Sequence, residues 1–396
     1  MKIKSIQAFT IELKPNIKTT PRVPKSKDPF DMNGMVSPMR RYPNISRSDW
    51  SANWHKTAVI VTAEDGNWGF GFTLHSGATE SIINDHLSNL LVGKNCMATE
   101  MLWDIMQQST IPYGTSGLSS FAISAIDNAL WDLKGKVLKR PVYELIGGPQ
   151  KEKIFCYASN TDFTYGTKNS IEWFLELGFK AVKLFLREGP ESNLAGINRS
   201  EELVANTREQ VGNDVEIAVD AWMSLNNEYA VRLAESLRPY KIKWLEDYIN
   251  PENLDGYQNL RNRIPWQTLA TGEHWYSLYP FAVAASKGIV DIFQPDLNWV
   301  GGMTAGIKIC HLAEAHGLSV VPHASTNYPY GQHLAFAMPA VPWAERSEGV
   351  APPGVPLEEM VLLPGTPVIK NGYIIPSDAP GFGLEITQEW LKERAV

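Results

Sequence analysis

From residue 154 onward, short apolar runs alternate with amphipathic stretches about every 25–30 residues, the size of a βα unit. Ile154–Ala158, Ala181–Leu186, Val215–Asp220, Ile242–Glu246, Thr268–Gly272, Asp291–Gln294 and Leu318–His323 read as strands, with an eighth near Phe336–Pro342. Asn226–Leu237 and Thr304–His316 read as connecting helices. Eight such units in parallel close into a TIM-type (β/α)8 barrel. The chain begins differently. Residues 1–15 and 57–75 carry strand-like patterning, the second broken by Asp65-Gly66, a hairpin turn signal. Between them, residues 16–55 are rich in Pro, Arg, Asn and Asp; a loop that long inside a domain is usually functional, and it reads as a lid. Helical spacing dominates from about 79 to 140, clearest where Phe121, Ile123, Ile126, Leu130 and Leu133 recur. After about 350, repeated prolines mark an extended tail.

The class is therefore α/β, a (β/α)8 barrel with an α+β capping domain built from the N-terminal region and the C-terminal tail. The expected division is 1–120 for the cap with its lid, 121–354 for the barrel and 355–396 for the returning tail. A length of 396 residues with 44% apolar and 20% charged residues suits this. The net charge of −7 comes without a basic run, so nucleic acid is not an expected partner. No apolar stretch approaches the ~18 residues a membrane helix needs, and the N-terminus lacks the apolar region of a signal peptide. Cys96, Cys156 and Cys310 are scattered and odd in number, which fits a reducing cytoplasm.

Barrel enzymes place their chemistry at the C-terminal strand ends. Here Asp220, Glu246 and Glu273 end the third, fourth and fifth strands. Three carboxylates converging on one point repel unless a cation lies between them, and an oxygen-only set suits Mg²⁺. Asp296 follows Gln294-Pro295 at the sixth strand end and His323 ends the seventh; a hydrogen bond between them would orient the imidazole as a base. Lys183 and Phe185 share one face of the second strand. If that face is the interior, Lys183 is a cation able to hold a substrate carboxylate. Glu345 on the eighth strand, with Glu348 as its competitor, could complete the polar ring, and His274 directly follows Glu273. Each of these alone reads equally as a rim residue; the set in series is what a site requires.

Together these residues resemble the enolase superfamily in its mandelate racemase-like branch. The helix run Ala122–Lys136 with Pro141–Gly147, Asp296 followed by Gly301-Gly302 and then His323, and the ending Pro380-Gly381-Phe382-Gly383-Leu384-Glu385 carry the likeness. Within the branch, Ser37-Pro38-Met39, Tyr42, Asp220-Ala221-Trp222-Met223-Ser224, Gly272-Glu273-His274 and Trp299 resemble the L-rhamnonate dehydratase group of acid sugar dehydratases. The resemblance implies Mg²⁺ on Asp220, Glu246 and Glu273, the Asp296–His323 pair as base, and a closed homo-oligomer. It also implies an aldonate as substrate, with Arg47 of the lid, Trp222 and Phe185 touching it. Phe185 stands where the branch often has a second Lys, and no His precedes His55. The implied reaction removes the proton next to the carboxylate and eliminates the 3-hydroxyl. The competing expectations are an epimerase or racemase, which needs a base on each face, and a non-catalytic binding barrel.

Overall fold

The computed structural model describes residues 1–396 except 33, 43, 46, 53, 162, 348 and 349, and no side chain at 31, 32, 47 or 48. The cap is built on a three-stranded antiparallel sheet of β1 (Ile3–Ile11), β2 (Lys56–Ala63) and β3 (Trp68–Thr73), in that order. The helix Leu118–Leu138 lies along it. The run Trp68-Gly69-Phe70-Gly71-Phe72 explains how closely. A Cβ at Gly69 or Gly71 would stand 2.0 Å from the carbonyl oxygen of Ala129 or Ala125, so the glycine face admits the helix backbone. The aromatic face, Phe70 and Phe72, packs on Trp390, Tyr328 and Tyr330.

Acidic side chains of the same helix tie the molecule together. Asp132 accepts the Phe70 amide at 2.9 Å and the Phe382 amide at 3.1 Å. Asp127 accepts both the amide and the hydroxyl of Thr304, at 2.8 and 2.7 Å, in the first turn of the barrel helix Gly302–Ala315. The tail returns to the cap as the prolines suggested: Glu12 donates its amide to Arg394, and Val396 to Thr10. Between β1 and β2, the segment 16–55 carries only short helices, Pro29–Met32, Pro38–Arg41 and Arg47–Trp50. Its first half is laid along the barrel, where the Val36 amide bonds Leu186 and Glu359 receives Lys18 and Thr19.

The barrel strands are β4 (Ile154–Asn160), β5 (Ala181–Phe185), β6 (Glu216–Asp220), β7 (Leu245–Glu246), β8 (Leu269–Thr271), β9 (Ile292–Phe293), β10 (Ser319–Val320) and β11 (Trp343–Arg346). They pair in parallel around a nearly closed ring, β10-β9-β8-β7-β6-β5-β4-β11, and β12 (Tyr373–Ile374) adds to β4 antiparallel. The eighth strand is not where the apolar run predicted it. Phe336 and Ala337 end the helix Pro329–Ala337, and the strand follows at 343–346. Among the described residues, no helix is long and apolar enough to cross a membrane.

The interior is stacked in two layers. The lower one is apolar: Tyr157, Ala181, Ala218, Trp244, Ala270, Ile292 and Val321, with Trp343 packed against them. Large rings on some strands stand against alanines on others across the bore. Two positions further along the same strands stand Ser159, Lys183, Asp220, Glu246, Gly272, Gln294, His323 and Glu345. The period-two geometry of a strand makes both sets face inward, so an apolar floor carries a polar layer.

Candidate active site

Lys183 sits in the polar layer and is fully buried. Its ammonium lies 3.1 Å from Asp220 Oδ2 and 2.9 Å from Glu345 Oε1, and also donates to Glu246 Oε1. An ammonium has three N–H donors, and three carboxylates engage them. In this arrangement Lys183 holds the three acids together beneath the mouth. Burial opposes its charge, yet Glu246 and Glu345 keep its pKa well above the usual lysine value. Phe185 shares its face as predicted, with the Lys183 ammonium 5.2 Å from the ring centroid.

Glu246 is turned into this network, accepting from Trp244 Nε1 and Gln294 Nε2, both at 2.7 Å. Glu345 takes the Ala324 amide at 2.9 Å and the Ser159 hydroxyl, while its competitor Glu348 lies outside the described residues. Glu273 stands between two imidazoles. His323 Nε2 is 3.2 Å from Oε2 and His274 Nε2 is 3.0 Å from Oε1. Against burial, His323 and His274 hold the Glu273 carboxyl well below its usual range.

His323 donates through Nδ1 to Asp296 Oδ2 at 2.7 Å, and Asp296 Oδ1 accepts the Asn298 amide. The two strand ends thus meet as the sequence suggested. Burial opposes protonation of His323, but Glu273 and Asp296 raise its pKa well above that of a free imidazole. His274 Nδ1 meets the Tyr276 hydroxyl at 2.8 Å, and its ring stacks on Trp299 at 5.8 Å. Trp222 lies 6.3 Å from the His274 ring and 6.0 Å from Trp50. Trp50, from the 16–55 segment, is a site neighbour that sequence reading missed, because that segment has no periodicity to place it. The side chain of Arg47, three residues earlier, lies outside the described residues.

Asp247 was missed as well. The only signal was an acid directly after Glu246, and strand alternation would point it outward. Instead its φ of +41° turns it inward, where it is buried and accepts from Thr271 Oγ1 at 2.6 Å.

The electrostatics test whether a cation belongs here. Six buried acids, Asp220, Glu246, Asp247, Glu273, Asp296 and Glu345, face Lys183 and the two histidines. Burial, together with Glu273 and Asp247, pushes Asp220 up to about 7 despite Lys183. Burial and Glu273 do the same to Asp247, also to about 7. The arrangement lacks positive charge, and its donors are almost all oxygens, so the residues fit a hard divalent ion.

The family model for the mandelate racemase/muconate lactonizing enzyme N-terminal domain matches residues 41–147, and the enolase C-terminal domain-like model matches 168–390. An L-rhamnonate dehydratase from Saccharopolyspora erythraea is 38% identical over 371 residues, 92% of each chain. The rhamnonate dehydratase of Gibberella zeae, solved in complex with Mg, superposes with a TM-score of 0.86 at 30% identity, covering 100% of this chain and 96% of that one. A 3,6-anhydro-D-galactonate cycloisomerase from Zobellia galactanivorans reaches a TM-score of 0.75 at 26% identity over both full chains. The chain belongs to the enolase superfamily, in its mandelate racemase/muconate lactonizing branch, and is an enzyme of the hydro-lyase kind.

Proposed function

We propose that the chain is a Mg²⁺-dependent acid sugar dehydratase, with an L-rhamnonate-like aldonate as substrate. The observation that carries this reading is the Asp296–His323 hydrogen bond beside the carboxylate cluster. In this reading Asp220, Glu246 and Glu273 hold the ion. When bound, Mg²⁺ supplies a Lewis acid that stabilises charge developing on the substrate carboxylate. Lys183 keeps Asp220, Glu246 and Glu345 at close quarters despite their repulsion. Arg47, Trp222 and Phe185 are the proposed substrate contacts, and Trp50 accompanies Arg47 on the same short helix.

His323 is the base. Asp296 fixes Nδ1 as the protonated nitrogen and leaves Nε2 for the α-proton. The Nε2 contact with Glu273 favours the imidazolium, so that contact gives way in the reactive site. Loss of the α-proton makes a carbon–carbon double bond as the C3–O bond breaks. The imidazolium returns its proton to the departing hydroxide equivalent, water leaves, and the enol becomes a 2-keto-3-deoxy acid. His274, held by Tyr276 and stacked on Trp299, is a second proton donor above the cluster.

Epimerisation would need a second base across the substrate. Lys183 does not support that role, since its three donors are engaged below the mouth and Phe185 cannot accept a proton. Screening four- to six-carbon aldonates for 2-keto acid release, with EDTA and with Mg²⁺ restored, tests the reading. Release that survives EDTA, or deuterium returning to unconverted substrate without release, would overturn it.

A further inference from the structure

Among the six buried carboxylates at the mouth, all oxygens but one meet a donor or a cationic nitrogen. Asp220 has the Trp222 amide and Lys183. Glu246 has Lys183, Trp244 and Gln294. Glu273 has both histidines, Asp296 has Asn298 and His323, and Glu345 has Lys183, Ser159 and Ala324. The exception is Asp247. Its Oδ1 accepts from Thr271, but Oδ2 is buried with no hydrogen-bond partner. His274 Nε2 stands 3.9 Å away, too far for a hydrogen bond.

A buried charged oxygen without a partner is costly, and so is the left-handed backbone that brings it inward. Both persist where the surroundings give the group something to hold. Those surroundings are specific: potential ligand atoms of Asp247, Glu273 and His274 all lie within 4.8 Å of one another. The Asp247 carboxylate thus neighbours the one already assigned to the ion, and His274 Nε2 lies between them, 3.9 Å from Asp247 Oδ2 and 3.0 Å from Glu273 Oε1.

We propose that Asp247 is a further cation-site residue, its Oδ2 supplying an oxygen to the divalent ion's shell beside Glu273. The proposal rests on the metal reading above and adds a fourth carboxylate to it. Mg²⁺ takes six oxygens, so four carboxylates leave two positions for a substrate carboxylate oxygen and its neighbouring hydroxyl. Thr271, by holding Oδ1, is the positioning residue that leaves Oδ2 free on the side of His274.

Calorimetric titration of Mg²⁺ into metal-stripped enzyme tests this without any turnover. Wild type should bind one ion saturably. Asp247→Asn, nearly isosteric, should weaken the Kd about 10–100-fold, the range for disrupting groups around a metal site. Its unfolding midpoint in EDTA should equal or exceed that of wild type, since a buried charge beside Glu273 is gone. Thr271→Val should weaken Mg²⁺ less than Asp247→Asn and guards against a folding failure of that variant. Wild-type affinity in both variants, while wild type itself binds, would overturn this proposal alone. Absence of saturable binding by wild type would overturn the metal reading with it.

Discussion

Lys183→Met offers the most direct measure of what the buried ammonium does. Methionine keeps the length of the side chain and removes the charge. Three carboxylates within contact of one cation, all of them buried, would then face one another uncompensated. Removing one partner of a buried ion pair costs about 3–5 kcal/mol. Unfolding entropy of roughly 2 cal/mol/K per residue, over 396 residues, gives a slope near 0.8 kcal/mol per degree. The variant should therefore melt roughly 4–6 °C lower in EDTA. Saturating Mg²⁺ should narrow the gap, because a bound ion supplies positive charge and stabilises by mass action. Scanning calorimetry and urea unfolding, each with EDTA and with Mg²⁺, read both effects. A Lys183→Met protein as stable as wild type in EDTA would refute the idea that the ammonium holds the acids together.

His323→Asn should abolish dehydration and α-proton exchange, at a cost of about 10²–10⁴-fold or more, while Mg²⁺ binding survives. Exchange near the wild-type rate, followed by NMR in D₂O, would move the base elsewhere. Asp296→Asn should act in the same direction but less, since the imidazole remains and only its orientation suffers. Gly71→Ala sets a Cβ 2.0 Å from Ala125 O and should cost about 1–3 kcal/mol or more of stability, read by denaturant midpoint; an unchanged midpoint would mean that the sheet and helix separate freely. Burial pushes the His333 imidazole down to about 3, and its Nδ1 accepts the Tyr143 amide. A depressed histidine pKa gives stability that is full above about 6.5, the unfolded value, and is lost as pH falls toward about 3. By pH 5 the loss from the full value is about 2 kcal/mol. His333→Gln should show a shallower acid slope by that amount, and parallel slopes would count against the assignment.

The polar layer was legible because strands have a strict period of two and each acid ended an apolar run. Asp220, Glu246 and His323 needed only that rule. The pairing of His323 with Asp296 followed from adjacent strand ends. The same rule concealed Asp247, whose positive φ breaks the alternation at one residue, and a single dihedral leaves no trace in composition. It also could not give Lys183 its partners: facing inward was readable, but height above the floor was not. The eighth strand was misplaced because a short apolar run serves a buried helix end as well as a strand. Phe336 and Ala337 belong to a helix that is buried along its whole length. Trp50 meets Trp222 through a segment with no period at all, so only the folded chain brings them together.

The two-layer bore separates what must stay fixed from what can change. Each strand places one residue in the upper storey and one in the storey beneath, though at Gly272 the upper one carries no side chain. The lower set interlocks across the axis, with Trp244 against Tyr157 and Trp343. Exchanging an upper residue that bonds nothing below leaves the masonry undisturbed, whereas Glu246 is tied to the floor through Trp244. An inserted or deleted residue in a strand behaves otherwise. It would turn the residues beyond it to the opposite face, carrying a buried charge out of the bore and an outward-facing side chain into it. On this plan a strand tip tolerates substitution far better than a strand tolerates a change of length.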